Sequence, residues 1–327
     1  MIVFTAPEEV PADFGPVVVA IGKFDGVHTG HRALIAKMRQ DAADSGHAVR
    51  TVVITFDRHP MSVLAPEKCP TALLGVQQKL DLLAETGVDA TLVLRFDAER
   101  AAQEPRAFVE SVLVDHLHAK TVLVGSDFRF GHGGAGDVAM LRELGESYGF
   151  AVDEMTDVRS PGAERRVSST WVREALAAGD VETATALLGR APSMRGEVVH
   201  GLKRGRELGF PTANLDPDAE GVIPGDGVYA GWLIDHGPSV GGAPAPNLPE
   251  VHRYPAAISV GDNPTFIDVP RRQVEAHIID VTDIDLYGHT VDIQFVERIR
   301  GMVAYEGVEP LIRQIADDVV RAREALV

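Results

Sequence analysis

Cysteine is nearly missing from this sequence. Cys69 stands alone, so no internal disulfide can form, and the chain is expected to rely on its cores in a reducing cytoplasm. No apolar run approaches the ~18 residues that a membrane-spanning helix needs. Nor does Met1 open a basic stretch followed by a long apolar one, so no secretory leader is expected. Positive charge is also short. With 31 Lys and Arg against 48 Asp and Glu, the formal net charge is −17, which repels a phosphate backbone at long range. No nucleic-acid and no membrane partner is expected, although a small polyanion in a local basic pocket is not excluded. There is no internal repeat and no Gly-x-x-x-x-Gly-Lys-Ser/Thr loop, which disfavours P-loop chemistry.

What is present is enough chain for two domains: 327 residues at a loose prior of ~150 per domain. The first half alternates β-branched runs at 17–21, 49–56, 90–96, 120–125 and 150–155 with helical spacing at 30–45, 75–86, 104–118 and 137–149. On the second of these helices Val76, Leu80 and Leu83 share a face. Strand and helix in alternation predict a parallel sheet with right-handed crossovers, an α/β layered domain whose ligands sit beyond the carboxyl ends of the strands. A last helical stretch runs from 170 to about 188, and "GRAPSMRG" (189–196) reads as a linker. Beyond it come closely spaced strands with Gly, Pro and Asp turns, predicting a mainly antiparallel β-barrel closed by a helix at about 306–326. The boundary is placed between 187 and 188. The segment 236–255, rich in Pro, Gly and Ala, reads as a mobile surface loop.

Two stretches carry chemistry. "IGKFDGVHTGH" (21–31) joins a strand to a helix start, where backbone amides and the helix dipole favour an anion. Gly26 and Gly30 admit a phosphate, and His28 and His31, three apart, can both donate to it, stabilising charge that grows at a transferring phosphoryl or nucleotidyl group. An incidental His-x-x-His is the competing reading; a metal pair would need further ligands. In the second half, "VVHGLKRGRELGFPTANL" (198–215) sets three glycines and three cations before Thr212 and Asn214, a phosphate-wrapping loop followed by hard oxygen donors suited to Mg²⁺, or else a local turn. "VEAHIID" (274–280) alternates faces, with Glu275, His277 and Ile279 on one side. Glu275 is a solvated strand residue or a base for a primary alcohol attacking a γ-phosphate.

"GKFDGVHTGH" resembles the signature of the FAD synthetase module in the bacterial bifunctional riboflavin kinase/FAD synthetase family, within the nucleotidylyltransferase superfamily. "TFDRHP" (55–60), with Arg58 for the usual proline, "VGSDFRFGHGGAGD" (124–137) and "RRVSSTWVRE" (165–174) are similar to three further motifs of that module. The stretches "PTAN", "PGDGVYAGW" and "DLYGHTVDIQFVERIRGM" are similar to its riboflavin kinase, with Tyr305 where members commonly carry Phe. The resemblance implies a nucleotidylyltransferase domain over 1–187 and a kinase barrel over 188–327.

In the first domain it implies His28 and His31 as catalytic residues. ATP would be bound by Gly22, Phe24, Asp25, Gly30, Arg166, Ser169, Thr170 and Arg173, and flavin by Phe56, His59, Pro60, Asp127 and Phe128. In the second it implies ATP binding by Gly201, Lys203, Gly205, Arg206, Gly209 and Pro211, Mg²⁺ on Thr212 and Asn214, and Glu275 as base. The implied reactions are ATP-dependent conversion of riboflavin to FMN and of FMN to FAD. The implied partners are small molecules, with a homo-oligomer left open. A flavin-binding sensor without turnover is the alternative from another class.

Overall fold

The computed structural model describes residues 1–45, 49–155, 165–201, 204–240, 243–244, 251–261, 272–281 and 284–327. Two compact units arise: Met1–Ala72 with Val76–Ser168, and Leu73–Gly75 with Ser169–Val327.

In the first unit six strands, β1 (Ile2–Phe4), β2 (Val17–Ile21), β3 (Arg50–Phe56), β4 (Ala90–Leu94), β5 (Ala119–Gly125) and β6 (Ala151–Met155), pair in the order β1-β4-β3-β2-β5-β6. Every pairing is parallel, as the alternation of strand and helix required. All five residues of β2 and of β4 are buried, which is why both read as continuous apolar runs instead of alternating ones. The helices are α1 (Thr29–Asp44), α2 (Met61–Leu64), α3 (Val76–Glu85), α4 (Ala98–Ala102), α5 (Pro105–Phe108) and α6 (Val138–Tyr148). On α1 the buried Leu34, Ile35, Met38 and Ala42 form one stripe at helical spacing.

The sheet order reverses at β2, which has β3 on one side and β5 on the other. In a doubly wound sheet the crevice at that reversal is where ligands bind. The loop after β2 is the "IGKFDGVHTGH" turn, and the loop after β5 carries Asp127 and Phe128.

Several local expectations need correction. β1 was not expected, because three residues carry no periodicity. The helix at 104–118 begins as α5 and continues in wider π-type turns over Val109–His116. On α3 the buried residues are Gln78, Lys79 and Leu83; the predicted apolar stripe of Val76 and Leu80 is only half buried.

In the second unit the predicted single helix at 170–188 is two, α7 (Ser169–Ala178) and α8 (Val181–Leu188). The break is set by Gly179, at φ 74°, and Asp180, whose carboxylate caps Thr183. After α8 come β7 (Ser193–Val199), the short α9 (Arg204–Glu207), β8 (Ala213–Leu215), β9 (Gly227–Val240), β10 (Ala243–Pro244), β11 (His252–Gly261), β12 (Gln273–Ile278), β13 (His289–Arg300) and α10 (Val308–Ala325). The order β9-β11-β12-β8-β7-β13, with β13 pairing back onto β9, closes a six-stranded barrel, and β10 adds to β9 outside the ring. All pairings are antiparallel.

Val228, Ala230, Ala257, Ile279 and Ile299 pack with Ala322 of α10, and Asp318 of α10 accepts from the Arg300 guanidinium at 2.7–3.1 Å. Ile279 keeps the side expected for it with Glu275 and His277: the register sets Glu275 against Ser259 and Val228, and His277 against Ala257 and Ala230, and Val228, Ala230 and Ala257 share this core with Ile279. The surface-loop reading of 236–255 fails at both described ends: β9 runs through 240 and β11 starts at 252, while 241–242 and 245–250 lie outside the described residues.

Candidate active sites

The turn after β2 is built against local backbone preference. Phe24 and Val27 adopt φ of 50° and 41°, in the left-handed region that side chains avoid, and Gly26 adopts 83°. Both side chains are 0% exposed, so burial holds the strained backbone in place, a pattern that recurs where geometry serves a site. The turn closes with the Val27 N–H donating to the Phe24 carbonyl (3.1 Å) and delivers the chain to α1.

His28 is the N-cap of α1. Its Nδ1 accepts from the His31 N–H at 3.3 Å, which in the neutral ring leaves the proton on Nε2. The two imidazoles stack at 3.6 Å between centroids, 13° apart, and Phe24 supports His31 from 5.0 Å. Burial, then neighbouring His28, Lys23 and Lys79, hold His31 well below the usual imidazole range; it is neutral at pH 7. Its Nδ1 is buried without a hydrogen-bond partner among the described residues. An orphaned polar atom beside first-turn amides suits an oxygen of a bound phosphate.

The other residues expected in the first site fall nearby in the sheet order. Phe56 ends β3 and meets Phe96 edge-on at 5.4 Å. His59 Nδ1 accepts from the Met61 N–H at 3.1 Å, and Pro60 precedes α2. Arg58 is exposed and pairs with Asp57 at 2.8 Å. After β5, Phe128 stacks on Phe130 at 5.4 Å. Asp127 accepts from Arg166 at 2.8 Å, and that guanidinium holds its carboxyl below the usual carboxylate range. Gly22, Asp25 and Gly30 lie in or beside the β2–α1 turn. Ser169, Thr170 and Arg173 are on α7, in the second unit.

Sequence reasoning missed Lys79. It is 8% exposed, and its Nζ donates to the Phe56 carbonyl at 2.7 Å and to the Thr55 hydroxyl at 3.3 Å. Burial pushes its ammonium down to about 8, against the pull of Asp25 and Asp57. The signal was available: a lysine one position before Leu80, on the inward side of an amphipathic helix.

In the barrel, β8 pairs with β12 so that Asn214 lies opposite Glu275. Thr212 Oγ1 lies 3.4 Å from Glu275 Oε2, and the Asn214 amide donates to the Thr212 carbonyl at 3.2 Å. His277 donates from Nδ1 to the Pro211 carbonyl at 2.8 Å, fixing the turn that presents Thr212. A Cβ on Gly201 would stand 2.4 Å from Asn214 Oδ1, so only glycine lets the loop approach this closely. Gly205 accepts from the amides of Leu208 and Phe210, Gly209 turns at φ 88°, and Arg206 is exposed on α9. Lys203 lies outside the described residues. Thr212, Asn214, Glu275 and Gly201 therefore do converge.

The sheet register made this convergence, and the sequence did not announce it, because β8 is three residues long. Among the described residues no cluster of three or more His, Cys, Asp or Glu could hold a metal. The donor set here is oxygen only, one carboxylate with neutral oxygens, which suits a hard cation that shares its shell with phosphates.

Comparison with known proteins identifies a family for each half of the chain. The sequence model of the FAD synthetase family matches residues 10–171, and that of riboflavin kinase matches 188–326. The bifunctional riboflavin kinase/FMN adenylyltransferase of Escherichia coli K12 is 38% identical over 307 residues, 94% of this chain and 92% of that protein. Its namesake from Bacillus subtilis is 31% identical over 306 residues, 92% and 90% of the two chains. A crystal structure titled as a macrolide-efflux protein from Streptococcus pneumoniae superposes with a TM-score of 0.82 at 28% identity, covering 98% of each chain. That title speaks for its own protein; among the described residues here no helix is long and apolar enough to cross a membrane. With both family models matched in order and relatives aligned along nearly their whole length, the chain belongs to the bifunctional riboflavin kinase/FMN adenylyltransferase family.

Proposed function

We propose that the chain makes FAD from riboflavin in two ATP-dependent steps, with the kinase carried by 188–327 and the adenylyltransferase by 1–187. The observation that carries the reading is the pairing, in one chain, of a strained strand-to-helix turn bearing stacked histidines with a barrel site where Thr212, Asn214 and Glu275 meet.

In the barrel, Glu275 takes the proton of the ribityl 5′-hydroxyl as that oxygen attacks the γ-phosphorus of ATP, giving FMN and ADP. Thr212 and Asn214 offer the oxygens that would hold Mg²⁺, which when bound neutralises phosphate charge. Gly201, Gly205 and Gly209 let the loop close over the phosphates, with Lys203 and Arg206 supplying charge.

In the α/β unit an FMN phosphate oxygen attacks the α-phosphorus of a second ATP, and pyrophosphate leaves. His28 donates from Nε2 and neutral His31 from its ring N–H to the oxygens on which charge grows, while the first-turn amides of α1 receive the anion. Positioning supplies most of the acceleration, and no covalent enzyme intermediate is required. Phe56, His59, Pro60, Asp127 and Phe128 form the flavin side; Arg166 serves the ATP side with Gly22, Phe24, Asp25 and Gly30. The substrates are small molecules and the setting is the cytoplasm. Full-length protein given riboflavin, Mg²⁺ and excess ATP should yield FMN first and FAD after it, separated by chromatography. FMN as final product would remove the adenylyl assignment, and tight flavin binding without turnover would make the chain a sensor.

A further inference from the structure

We propose that Lys79 is a positioning residue of the adenylyl-transfer site: its ammonium joins the carboxyl end of β3 to the β2–α1 turn and sets a fixed positive charge beside His31. The inference rests on the adenylyltransferase reading.

The geometry is a short chain of donors. Lys79 Nζ donates to the Phe56 carbonyl (2.7 Å) and the Thr55 hydroxyl (3.3 Å), and that hydroxyl donates onward to the Lys23 carbonyl (3.0 Å). One side chain on α3 thus reaches the end of β3, whose last residue is on the flavin side, and through the Thr55 hydroxyl it is linked to the turn that carries His28. An apolar side chain would fill the same buried space at less cost, since lysine is seldom enclosed without a charge partner. The charged groups facing it are Asp25 from the turn, Asp57 from beyond β3 and His31 from α1. Two consequences bear on the reaction. Burial first, then His28 and Lys23, hold the His31 imidazole neutral and donating, and the Lys79 charge adds to them. It also favours the anionic phosphoryl group as negative charge accumulates in the transition state. Because burial brings the ammonium down to about 8, this charge disappears as pH rises through that value.

The test uses full-length protein and follows FMN adenylylation and riboflavin phosphorylation in parallel for wild type, Lys79→Met and Lys79→Arg across neutral and alkaline pH. Lys79→Met should lower kcat for adenylylation by ~100-fold, leave KM for FMN and for ATP within about threefold and abolish the alkaline limb. Riboflavin phosphorylation should match wild type. Lys79→Arg should keep most of the rate and carry the limb to higher pH, because a guanidinium stays charged there. Wild-type kcat and pH profile in Lys79→Met would overturn the proposal. An unshifted limb in Lys79→Arg would do the same, and that variant decides the matter even if the methionine variant fails to fold. Wild type that forms no FAD from FMN and ATP would sink the adenylyltransferase reading itself; an active wild type with indifferent variants sinks only the role of Lys79.

Discussion

Lys79→Met should cost the first unit little or no stability at neutral pH. A buried ammonium brought from 10.5 to about 8 destabilises the fold by on the order of 3 kcal/mol, at ~1.4 kcal/mol per pH unit. Methionine removes that cost but strands the Phe56 carbonyl and loosens Thr55, a loss of ~1–3 kcal/mol. The two nearly cancel, leaving a change within about 2 kcal/mol of zero.

The sign with pH is distinctive. Below about 8 the lysine is protonated in both folded and unfolded chains, so its penalty is complete. Between about 8 and 10.5 the unfolded chain binds more protons, and wild type gains stability relative to the variant as pH rises. Urea unfolding by far-UV circular dichroism at neutral and alkaline pH measures both quantities. Trp171 and Trp232 both lie in the second unit, so their fluorescence reports separately on that unit. A variant less stable by well over 3 kcal/mol at neutral pH, or a wild-type advantage that does not grow with pH, would refute this account of the buried charge.

Three other outcomes follow from the sites. Glu275→Gln should slow riboflavin phosphorylation by ~10²–10⁴-fold while added FMN is still converted to FAD; a normal phosphorylation rate would remove Glu275 as base. Replacing His28 and His31 together by alanine should lower FAD formation by at least ~10²-fold and spare FMN formation, and equal loss of both would undo the two-site assignment. Asp318→Ala leaves Arg300 half-enclosed without its carboxylate, so tryptophan fluorescence in urea should show the second unit losing about 3–5 kcal/mol; a loss under about 1 kcal/mol would mean solvent already screens the pair.

The α/β class was legible because β2 and β4 are continuous apolar runs between helical stripes, and the β2–α1 turn because glycines and histidines crowd a strand end. The barrel was legible from its spacing of short strands. Contacts that depend on register were not. Nothing in "PTAN" says that a three-residue strand will set Asn214 opposite Glu275, since that pairing is made by residues more than fifty positions apart. Lys79 was overlooked for a different reason: its place beside Leu80 marks the inward side of the helix, but apolar periodicity assigns lysine to water, whereas here hydrogen bonds at a strand end hold it inside. The break at Gly179 was passed over because the alanine-rich stretches on both sides of it favour helix.

The left-handed backbone at Phe24 and Val27 bears on how this enzyme would fail. Each such residue costs about 1–3 kcal/mol, and only the buried side chains of the assembled unit hold it there. A turn of this kind has no partial version. It relaxes as soon as its surroundings loosen, so heat should extinguish adenylyl transfer together with the packing of β2, β3 and α1, in one event with no slow decline beforehand. Glycine at either position would ease the backbone but forfeit the packing that aims the histidines, so stabilising the turn locally and keeping the reaction are opposed goals.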